Sequence, residues 1–156
     1  MATTTATLTL ASSDLFEDTL ALSSTSTLYK AGTTTGLDQT TGLSRVYLNA
    51  TTAIDIFPVI DETRIAAGTN LGTDKNAKVY VCNLSEVKEE FVTVMISAQE
   101  IGRLYAGDWM FIPWSMAQDT HTANLHGDIE LIPSVATGMT VEFMCIHEGI
   151  VYPTSA

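Results

Sequence analysis

The sequence is built from short apolar segments with a period of two, and it lacks a 3.6-residue period long enough for the helices of an α/β fold. In residues 91–98, for example, Val92 and Val94 alternate with Thr93. Because successive side chains of a strand point to opposite faces, this pattern predicts β-strands. Turn residues separate the segments at roughly 8–12-residue spacing, which is typical of sandwiches and barrels. The sequence therefore predicts a single all-β domain, a jelly-roll-like β-sandwich of short antiparallel strands.

Predicted strands cover much of the chain. Short turn-forming segments at 86–90 and 134–138 predict a hairpin across each of them. Residues 109–114 are apolar throughout, which predicts a strand that is buried on both faces. The predicted strands cover residues 3–10, 23–30, 44–49, 53–59, 77–84, 91–98, 109–114, 128–133 and 139–147.

The composition changes near residue 53. Threonine accounts for 24 of the 156 residues, and 15 of those threonines precede residue 53. We therefore divide the single domain into a Thr/Ser-rich N-terminal segment, residues 1–52, and a β-sandwich core, residues 53–156. Near the start of the first segment, Leu8 and Leu10 alternate with threonines, as in a strand. Residues 13–17 begin with a serine and an acidic residue, so a helical turn and an extended segment both remain open there.

The chain is strongly acidic. It has 7 basic and 18 acidic residues, which gives a net charge of -11 at pH 7. Nucleic acids and anionic membranes attract basic surfaces, so we expect no nucleic-acid partner and no membrane partner. No apolar run reaches the ~18 residues of a transmembrane helix. The first ten residues lack the basic and apolar regions of a secretory signal, so we expect no such signal.

The titratable residues do not have the spacing of a catalytic, cofactor or metal site. His121, His126 and His147 lack the His-x-His or His-x-carboxylate spacing of a metal-binding strand, and we expect solvated or capping histidines. The adjacent carboxylates at 61–62 and 89–90 point to opposite faces of an extended chain, and we expect them in solvated turns. We therefore expect no enzyme activity, no catalytic residue, no cofactor and no metal.

Cysteines and aromatic residues leave two further readings open. Cys82 and Cys145 both lie in apolar strand-like segments, which favours two buried free thiols. An inter-sheet disulfide is the alternative, although the tryptophan and tyrosine positions that accompany it in immunoglobulin domains do not match. Trp109, Trp114 and Tyr105 offer a sugar-stacking surface, whereas the apolar run around the tryptophans favours a core position.

Residues 77–147 also contain a characteristic order of strand phrases. A strand ending in Asn-Leu-Ser, 83–85, is followed by a Val/Ile strand. Leu-Tyr-Ala-Gly-Asp, 104–108, then leads into an aromatic strand, and Asp-Ile-x-Leu-x-Pro-Ser, 128–134, precedes Val-Glu-Phe-Met, 141–144. This order resembles that of small β-sandwich virion proteins of tailed bacteriophages, such as capsid decoration (cement) proteins and small tail or fibre modules. The resemblance implies no reaction; it implies symmetric self-association and docking on another virion protein.

The expected function is therefore structural. The resemblance implies a non-enzymatic capsid decoration (cement) protein at the surface of a phage particle. It implies a homo-oligomer, a trimer or a dimer, that binds the major capsid protein or another virion protein. A tail, knob or fibre protein, a carbohydrate-binding module and a small double-stranded β-helix enzyme remain as alternatives.

The first predicted strand is the candidate assembly segment. It is uncharged and alternates, so its backbone can pair with the edge of a neighbour's sheet. Main-chain hydrogen bonds would then supply much of the affinity, and threonine would keep the segment soluble. The candidate assembly residues are Thr3, Thr5, Thr7, Leu8, Thr9 and Leu10.

Overall fold

A computed structural model describes residues 3–15, 19–57, 76–96, 98–114 and 129–148. Within these ranges the protein is all-β, and each pairing between strands is antiparallel. No helix occurs in them, and therefore none that is long and apolar enough to cross a membrane.

Eleven strands lie in the described ranges, and their bounds agree with most of the predicted segments. The start of the strand predicted over 128–133 and the end of that over 53–59 lie outside the described residues. The strands are β1 (Thr5–Ser12), β2 (Leu20–Thr27), β3 (Gln39–Thr40), β4 (Ser44–Leu48), β5 (Ile54–Phe57), β6 (Ala77–Asn83), β7 (Phe91–Ile96), β8 (Gln99–Tyr105), β9 (Trp109–Trp114), β10 (Ile129–Pro133) and β11 (Met139–His147).

The strands form three sheets. β1 and β2 make a two-stranded sheet, here called the N-terminal ribbon. A four-stranded sheet has the order β5-β10-β7-β8. A five-stranded sheet contains the path β3-β11-β6-β9, and β4 also pairs with β11. β4 pairs with the first half of β11 and β3 with its end, so the chain before residue 53 contributes two strands to this sheet.

Side chains from the four-stranded and five-stranded sheets meet in one hydrophobic cluster. Strands β6, β7, β10 and β11 contribute alternate residues, so the period of two in the sequence is the pattern that forms most of this core. The buried members are Leu48, Ile56, Ala77, Val79, Val81, Val92, Val94, Leu104, Trp114, Ile129, Leu131, Met139, Val141 and Cys145.

The prediction of a hairpin across residues 86–90 and another across residues 134–138 is wrong. β6 belongs to the five-stranded sheet and β7 to the four-stranded sheet, and β11 and β10 are divided in the same way. A connection of five or more residues can span more than the ~10 Å that separates packed sheets, so a short turn-forming segment does not require a hairpin. The apolar alternation indicates a strand with one buried face, and it does not indicate which neighbour that strand pairs with.

The local hairpin is instead formed by β7 and β8, and the sequence analysis did not predict β8. The turn between them places Ala98 at a positive φ of 59°. β8 lies at the edge of its sheet, and of its residues only Leu104 is buried. Because Gln99, Glu100 and Ile101 are exposed in succession, the strand lacks the alternation that marks the others.

β9 is not buried on both faces as the sequence predicts. It pairs with β6 at the end of the strand path, and only one of its faces points into the core. Trp114 is buried in the cluster, whereas Trp109 is 52% exposed.

In the segment where a helical turn and an extended chain both remained open, residues 13–15 are not helical, and residues 16–17 lie outside the described part of the chain.

A buried asparagine connects the two larger sheets. The Asn83 side-chain amide donates to the Leu104 carbonyl at 3.0 Å and accepts from the Ser85 amide at 2.9 Å. Its backbone amide donates to the Asp108 carbonyl at 3.0 Å, and its carbonyl accepts from the Gly107 amide at 3.0 Å. Asn83 is fully buried, and these partners satisfy the polar groups that burial would otherwise penalise.

Among the glycines that the structure describes, Gly138, immediately before β11, is the one that we expect to tolerate substitution least. It has a φ of 107°, and a Cβ at this position would clash with the hydroxyl and ring of Tyr47. The Tyr47 hydroxyl donates to the Thr137 carbonyl at 3.1 Å, and the exposed ring lies over the glycine. Gly138→Ala should lower the free energy of unfolding by about 1–3 kcal/mol, chiefly from backbone strain at a positive φ, because the exposed Tyr47 ring can move aside.

Gly102 is the matched control for this substitution. It lies in β8, and a Cβ there would meet no atom within 4 Å. Gly102→Ala should change the free energy of unfolding by no more than about 1 kcal/mol. Urea unfolding of both variants measures the difference, and equal effects would show that the positive φ of Gly138 does not make this position intolerant of a side chain.

Candidate functional site

The N-terminal ribbon carries the predicted assembly residues. Thr3 precedes β1, and the others lie within it. β1 pairs with β2 along its whole length, from Thr5 opposite Thr27 to Ser12 opposite Leu20. The predicted strand is therefore one half of the ribbon. The second half, β2, overlaps the extended segment predicted over residues 23–30. The role of these residues in assembly stays a prediction.

The ribbon has two chemically different faces. Its register places Leu10 opposite Leu22 on one face and Thr9 opposite Ser23 on the other. The four leucines of the first face are 37–44% exposed, and neither strand contains a charged residue. The leucine face is formed by Ala6, Leu8, Leu10, Ser12, Leu20, Leu22, Ser24 and Ser26, and the threonine face by Thr5, Thr7, Thr9, Ala11, Ala21, Ser23, Thr25 and Thr27.

The base of the ribbon is fixed to the rest of the fold. The Leu28 amide donates to the Thr4 carbonyl at 2.8 Å, and the Thr4 hydroxyl donates to the Leu37 carbonyl at 2.7 Å. Leu28 and Leu37 are both buried. The ribbon therefore leaves the fold in a defined direction, although its strands do not pair with either larger sheet.

A buried carboxylate ties the loop after the ribbon to the five-stranded sheet. Glu148 is 5% exposed, and its Oε1 accepts from the Ala31 amide at 2.6 Å and from the Asn76 amide at 2.7 Å. The Asn76 side-chain amide donates to the Tyr29 carbonyl at 2.7 Å. Charge-assisted hydrogen bonds of this kind are stronger than neutral ones, so residues 29–31 are held close to the start of β6.

An open cleft separates the base of the ribbon from the outer face of the five-stranded sheet. Its volume is about 500 Å³. Ala6 and Leu8 line it from the leucine face, while Tyr80, Trp109 and Phe111 line it from β6 and β9. We call it the aromatic cleft. Its described lining contains no charged side chain and also includes Thr7, Ser24, Ser26 and Leu28.

Strand register explains why the aromatic side chains share one face. Tyr80 lies opposite Phe111, and Cys82 lies opposite Trp109, on the side of the sheet away from the core. Burial, reinforced by a hydrogen bond to Cys82 and by negative charge nearby, raises the pKa of Tyr80 to about 12. The phenol is neutral at physiological pH, as it would also be at its ordinary pKa of 10.0, so this wall of the cleft is uncharged.

The structure does not bring the proposed sugar-stacking residues together. Trp114 is buried in the core, and Trp109 lines the aromatic cleft. Tyr105 lies on β8 in the other sheet, where its ring packs against Phe91 at 5.4 Å. Trp109 is thus the one member of the set that is exposed within a concave site.

Polar residues considered for catalysis or metal binding are scattered. His121, His126 and the carboxylates at 61–62 lie outside the described residues. Of the two expectations for the histidines, solvated or capping, the first does not hold for His147, which is 2% exposed; its Nδ1 lies 2.7 Å from the Glu148 carbonyl oxygen. Among the residues that the structure describes, no three His, Cys, Asp or Glu side chains form a group that could hold a metal ion.

The two cysteines are free thiols on opposite faces of the five-stranded sheet. Cys145 lies opposite Val79 and is buried in the core, whereas Cys82 lies opposite Glu142 on the outer face. Side chains on opposite faces of a sheet point apart, so the disulfide alternative does not hold.

Comparison with known proteins identifies no relative. No protein-family model matches the chain, and no curated protein matches it. The structure alone shows an all-β protein with several antiparallel sheets.

The sequence contains a signal for the ribbon that the sequence analysis did not use. Leu8 and Leu10 are mirrored by Leu20 and Leu22 around the segment 13–19. Two uncharged segments with the same alternation on either side of a short polar stretch are typical of a hairpin. The aromatic cleft has no comparable signal, because it depends on which strands β6 and β9 pair with.

Burial should make Cys145 unreactive in the folded protein. It raises the pKa of the Cys145 thiol from its ordinary value of 9.0 to about 12. In a Cys82→Ser variant, which leaves Cys145 as the only cysteine, labelling by a thiol reagent at pH 8 should be at least ~100-fold slower than in denaturant. Fast labelling without denaturant would show that the core around Cys145 opens readily.

The same pKa predicts a loss of stability in alkali. A raised pKa in the folded state stabilises the fold fully below pH 9, and this contribution is lost as the pH rises from 9 towards 12. Between pH 8 and pH 11, the free energy of unfolding of Cys82→Ser should fall by about 2–3 kcal/mol more than that of Cys82→Ser/Cys145→Ala. Tyr80 is common to both proteins, so its titration cancels in the comparison; parallel pH profiles would contradict the prediction.

Proposed function

We propose that the protein is a non-enzymatic structural protein of a tailed-phage virion, most specifically a capsid decoration protein that docks on the shell. The observation that carries the proposal is the N-terminal ribbon. Its strands are uncharged, and its leucine face is exposed. An isolated two-stranded ribbon is only marginally stable in water, and packing against a further surface stabilises it.

Strand order supports a jelly-roll fold as part of this proposal. Along the chain from β4 to β11, the strands form the orders β4-β11-β6-β9 and β5-β10-β7-β8. Eight strands in two four-stranded paths, with most connections crossing between them, are the arrangement of a jelly roll. Viral capsid domains use this architecture, as do lectins and cupins, so the fold is compatible with the proposal without selecting it.

The edges and charge of the protein also suit a shell component. Both edges of the ribbon are unpaired with the other described strands, and such edges can add to a neighbour's sheet through main-chain hydrogen bonds. A net charge of -11 favours an outward position and disfavours contact with packaged DNA. The proposal assigns no catalytic residue and no cofactor.

A carbohydrate-binding module is the second candidate, and one observation favours it. Trp109 is 52% exposed within a concave site that also contains Tyr80 and two serines. Aromatic rings beside hydroxyl groups suit a sugar. A saturable change of tryptophan fluorescence on titration with host polysaccharide, lost in Trp109→Ala, would favour this function over the structural one.

Removal of the ribbon tests the structural proposal. A variant that lacks residues 1–27 should keep its thermal unfolding transition within a few degrees, because the core cluster contains no ribbon residue. Its incorporation into phage particles should fall at least ~10-fold, since the docking element is lost. The full-length protein, expressed in parallel, is the control.

Quantitative mass spectrometry of purified particles completes this test. Hundreds of copies per particle would place the protein in the head, and a dozen or fewer would favour the tail, since copy number follows the symmetry of the assembly. Absence of the full-length protein from purified particles would refute the structural proposal. Unchanged incorporation of the variant that lacks residues 1–27 would refute docking through the ribbon.

A further inference from the structure

We infer that Glu148 is a positioning residue that sets the direction of the N-terminal ribbon and, with it, the width of the aromatic cleft. Its buried carboxylate is the contact through which the five-stranded sheet holds the chain that carries the ribbon. The inference about direction is tested on the purified protein alone. Its consequence for assembly rests on the proposed function.

The ribbon and the loop that follows it form one unit. We call the described residues between 4 and 38 the N-terminal arm. Beyond the ribbon, Tyr29 pairs with Gly36, and the Lys30 ammonium lies 2.6 Å from the Asp38 carboxylate. The hydrogen bonds at the base of the ribbon, described above, close the same unit. The arm is therefore expected to move as one body, and its contacts with the sheet decide its direction.

The arm is joined to the five-stranded sheet by a backbone junction and by hydrogen bonds. It continues directly into β3, whose Gln39 pairs with His147 of β11. The arm can turn at this junction, because the backbone dihedrals are soft. Leu28 and Leu37 are buried, but apolar contacts are non-directional and do not set an angle. Directional hydrogen bonds between the arm and the sheet must therefore supply the angle.

Glu148 supplies these directional contacts. Its Oε1 accepts from the Ala31 amide of the arm at 2.6 Å and from the Asn76 amide beside β6 at 2.7 Å, so one oxygen joins the two. The Glu148 amide donates to the Asn76 carbonyl at 3.2 Å, which fixes Glu148 itself on the sheet. Because Glu148 is 5% exposed, removal of its carboxylate would deprive both amides of this acceptor at a site that water reaches poorly.

Asn76 adds a second contact that depends on the first. Its side-chain amide donates to the Tyr29 carbonyl at 2.7 Å, and its Oδ1 accepts from the Lys78 ammonium at 2.6 Å. Lys78 lies in β6, so it orients the Asn76 amide from the sheet towards the arm. Because Glu148 also holds the Asn76 backbone, loss of the carboxylate weakens the contact with Tyr29 as well.

The direction of the arm determines the width of the aromatic cleft. Ala6 and Leu8 line one wall and belong to the arm, whereas Tyr80 and Trp109 line the other and belong to the sheet. The ribbon strands do not pair with the described strands of the sheet, so a ladder of hydrogen bonds does not fix the distance between the walls. An arm released from Glu148 turns about its junction with β3, and the width of the cleft changes with it.

The same direction matters for docking. A ribbon held at one angle presents its leucine face to a partner without first losing orientational freedom, whereas a ribbon that swings loses that entropy on binding. If the ribbon is the docking element, Glu148 therefore contributes to affinity without contacting the partner.

Pulsed electron paramagnetic resonance measures the direction of the ribbon. Spin labels at Ser23→Cys on the ribbon and Ile101→Cys on β8, in a Cys82→Ser/Cys145→Ala background, report one distance across the molecule. Both labelled positions are exposed. The chain with native Glu148 should give a single narrow distribution of distances. Glu148→Ala should give a distribution at least ~2-fold wider, because the arm then samples several directions.

Glu148→Gln and Glu142→Ala complete the comparison. Glutamine keeps an acceptor oxygen and loses the charge that strengthens the hydrogen bonds, so its distribution should have an intermediate width. Glu142 is the matched control, because it is a carboxylate on the outer face of β11 with 9% exposure, and its partner Arg45 lies outside the arm. Glu142→Ala should leave the distribution unchanged. Circular dichroism and thermal unfolding check that each variant is folded, and Glu148→Gln replaces Glu148→Ala if the latter is not.

A distribution that stays narrow in Glu148→Ala would overturn the inference, even if thermal stability falls, because Glu148 would then have a merely structural role. Equal widening in Glu142→Ala would overturn it too, as would a broad distribution in the chain with native Glu148.

Incorporation into phage particles separates this inference from the proposed function. A wider distribution together with weaker incorporation of Glu148→Ala than of Glu142→Ala supports both. If the distribution widens and incorporation is unchanged, Glu148 sets the direction of the ribbon and docking through the ribbon is refuted. If the distribution stays narrow and the variant that lacks residues 1–27 fails to incorporate, the proposed function stands and this inference fails.

Discussion

The fold depends on the pairing of β11 along both of its edges. On one side this strand pairs with β4 and β3, and on the other with β6. Val141 and Cys145 point from it into the core, and Glu142 on its outer face pairs with Arg45 at 2.8 Å. Glu148, directly after the strand, accepts hydrogen bonds from the loop that follows the ribbon. One strand thus connects the early chain, the centre of the sheet and the base of the ribbon.

The ribbon and the cleft follow from this arrangement. Because the core lies on the other face of the five-stranded sheet, the outer faces of β6 and β9 are not covered by it, and Trp109 is left exposed beside Tyr80. Because Thr4 and Leu28 anchor the ribbon at its base only, its leucine face opens towards that aromatic surface without closing on it. The candidate site is the space between the ribbon and the outer face of the five-stranded sheet.

Most strands could be predicted from the sequence, because burial of one face imposes a period of two on residues such as Val92 and Val94. Strand partners could not be predicted, since the same alternation is compatible with a hairpin across 86–90 and with a crossing to the other sheet. β8 was missed because an edge strand with one buried residue, Leu104, carries little alternation. The ribbon residues were identified from their uncharged alternation, whereas the cleft depends on the register of β6 with β9.

The crossing connections also determine when the fold can be completed. β3 and β4 contribute residues 39–48 to a sheet whose central partner spans residues 139–147, so during synthesis these early strands wait for about a hundred residues before they can pair. Such non-local pairing slows folding and leaves apolar strand edges open on the ribosome. A Thr/Ser-rich segment is well suited to this delay, because its hydroxyl groups stay hydrated while the partner strand is still being made.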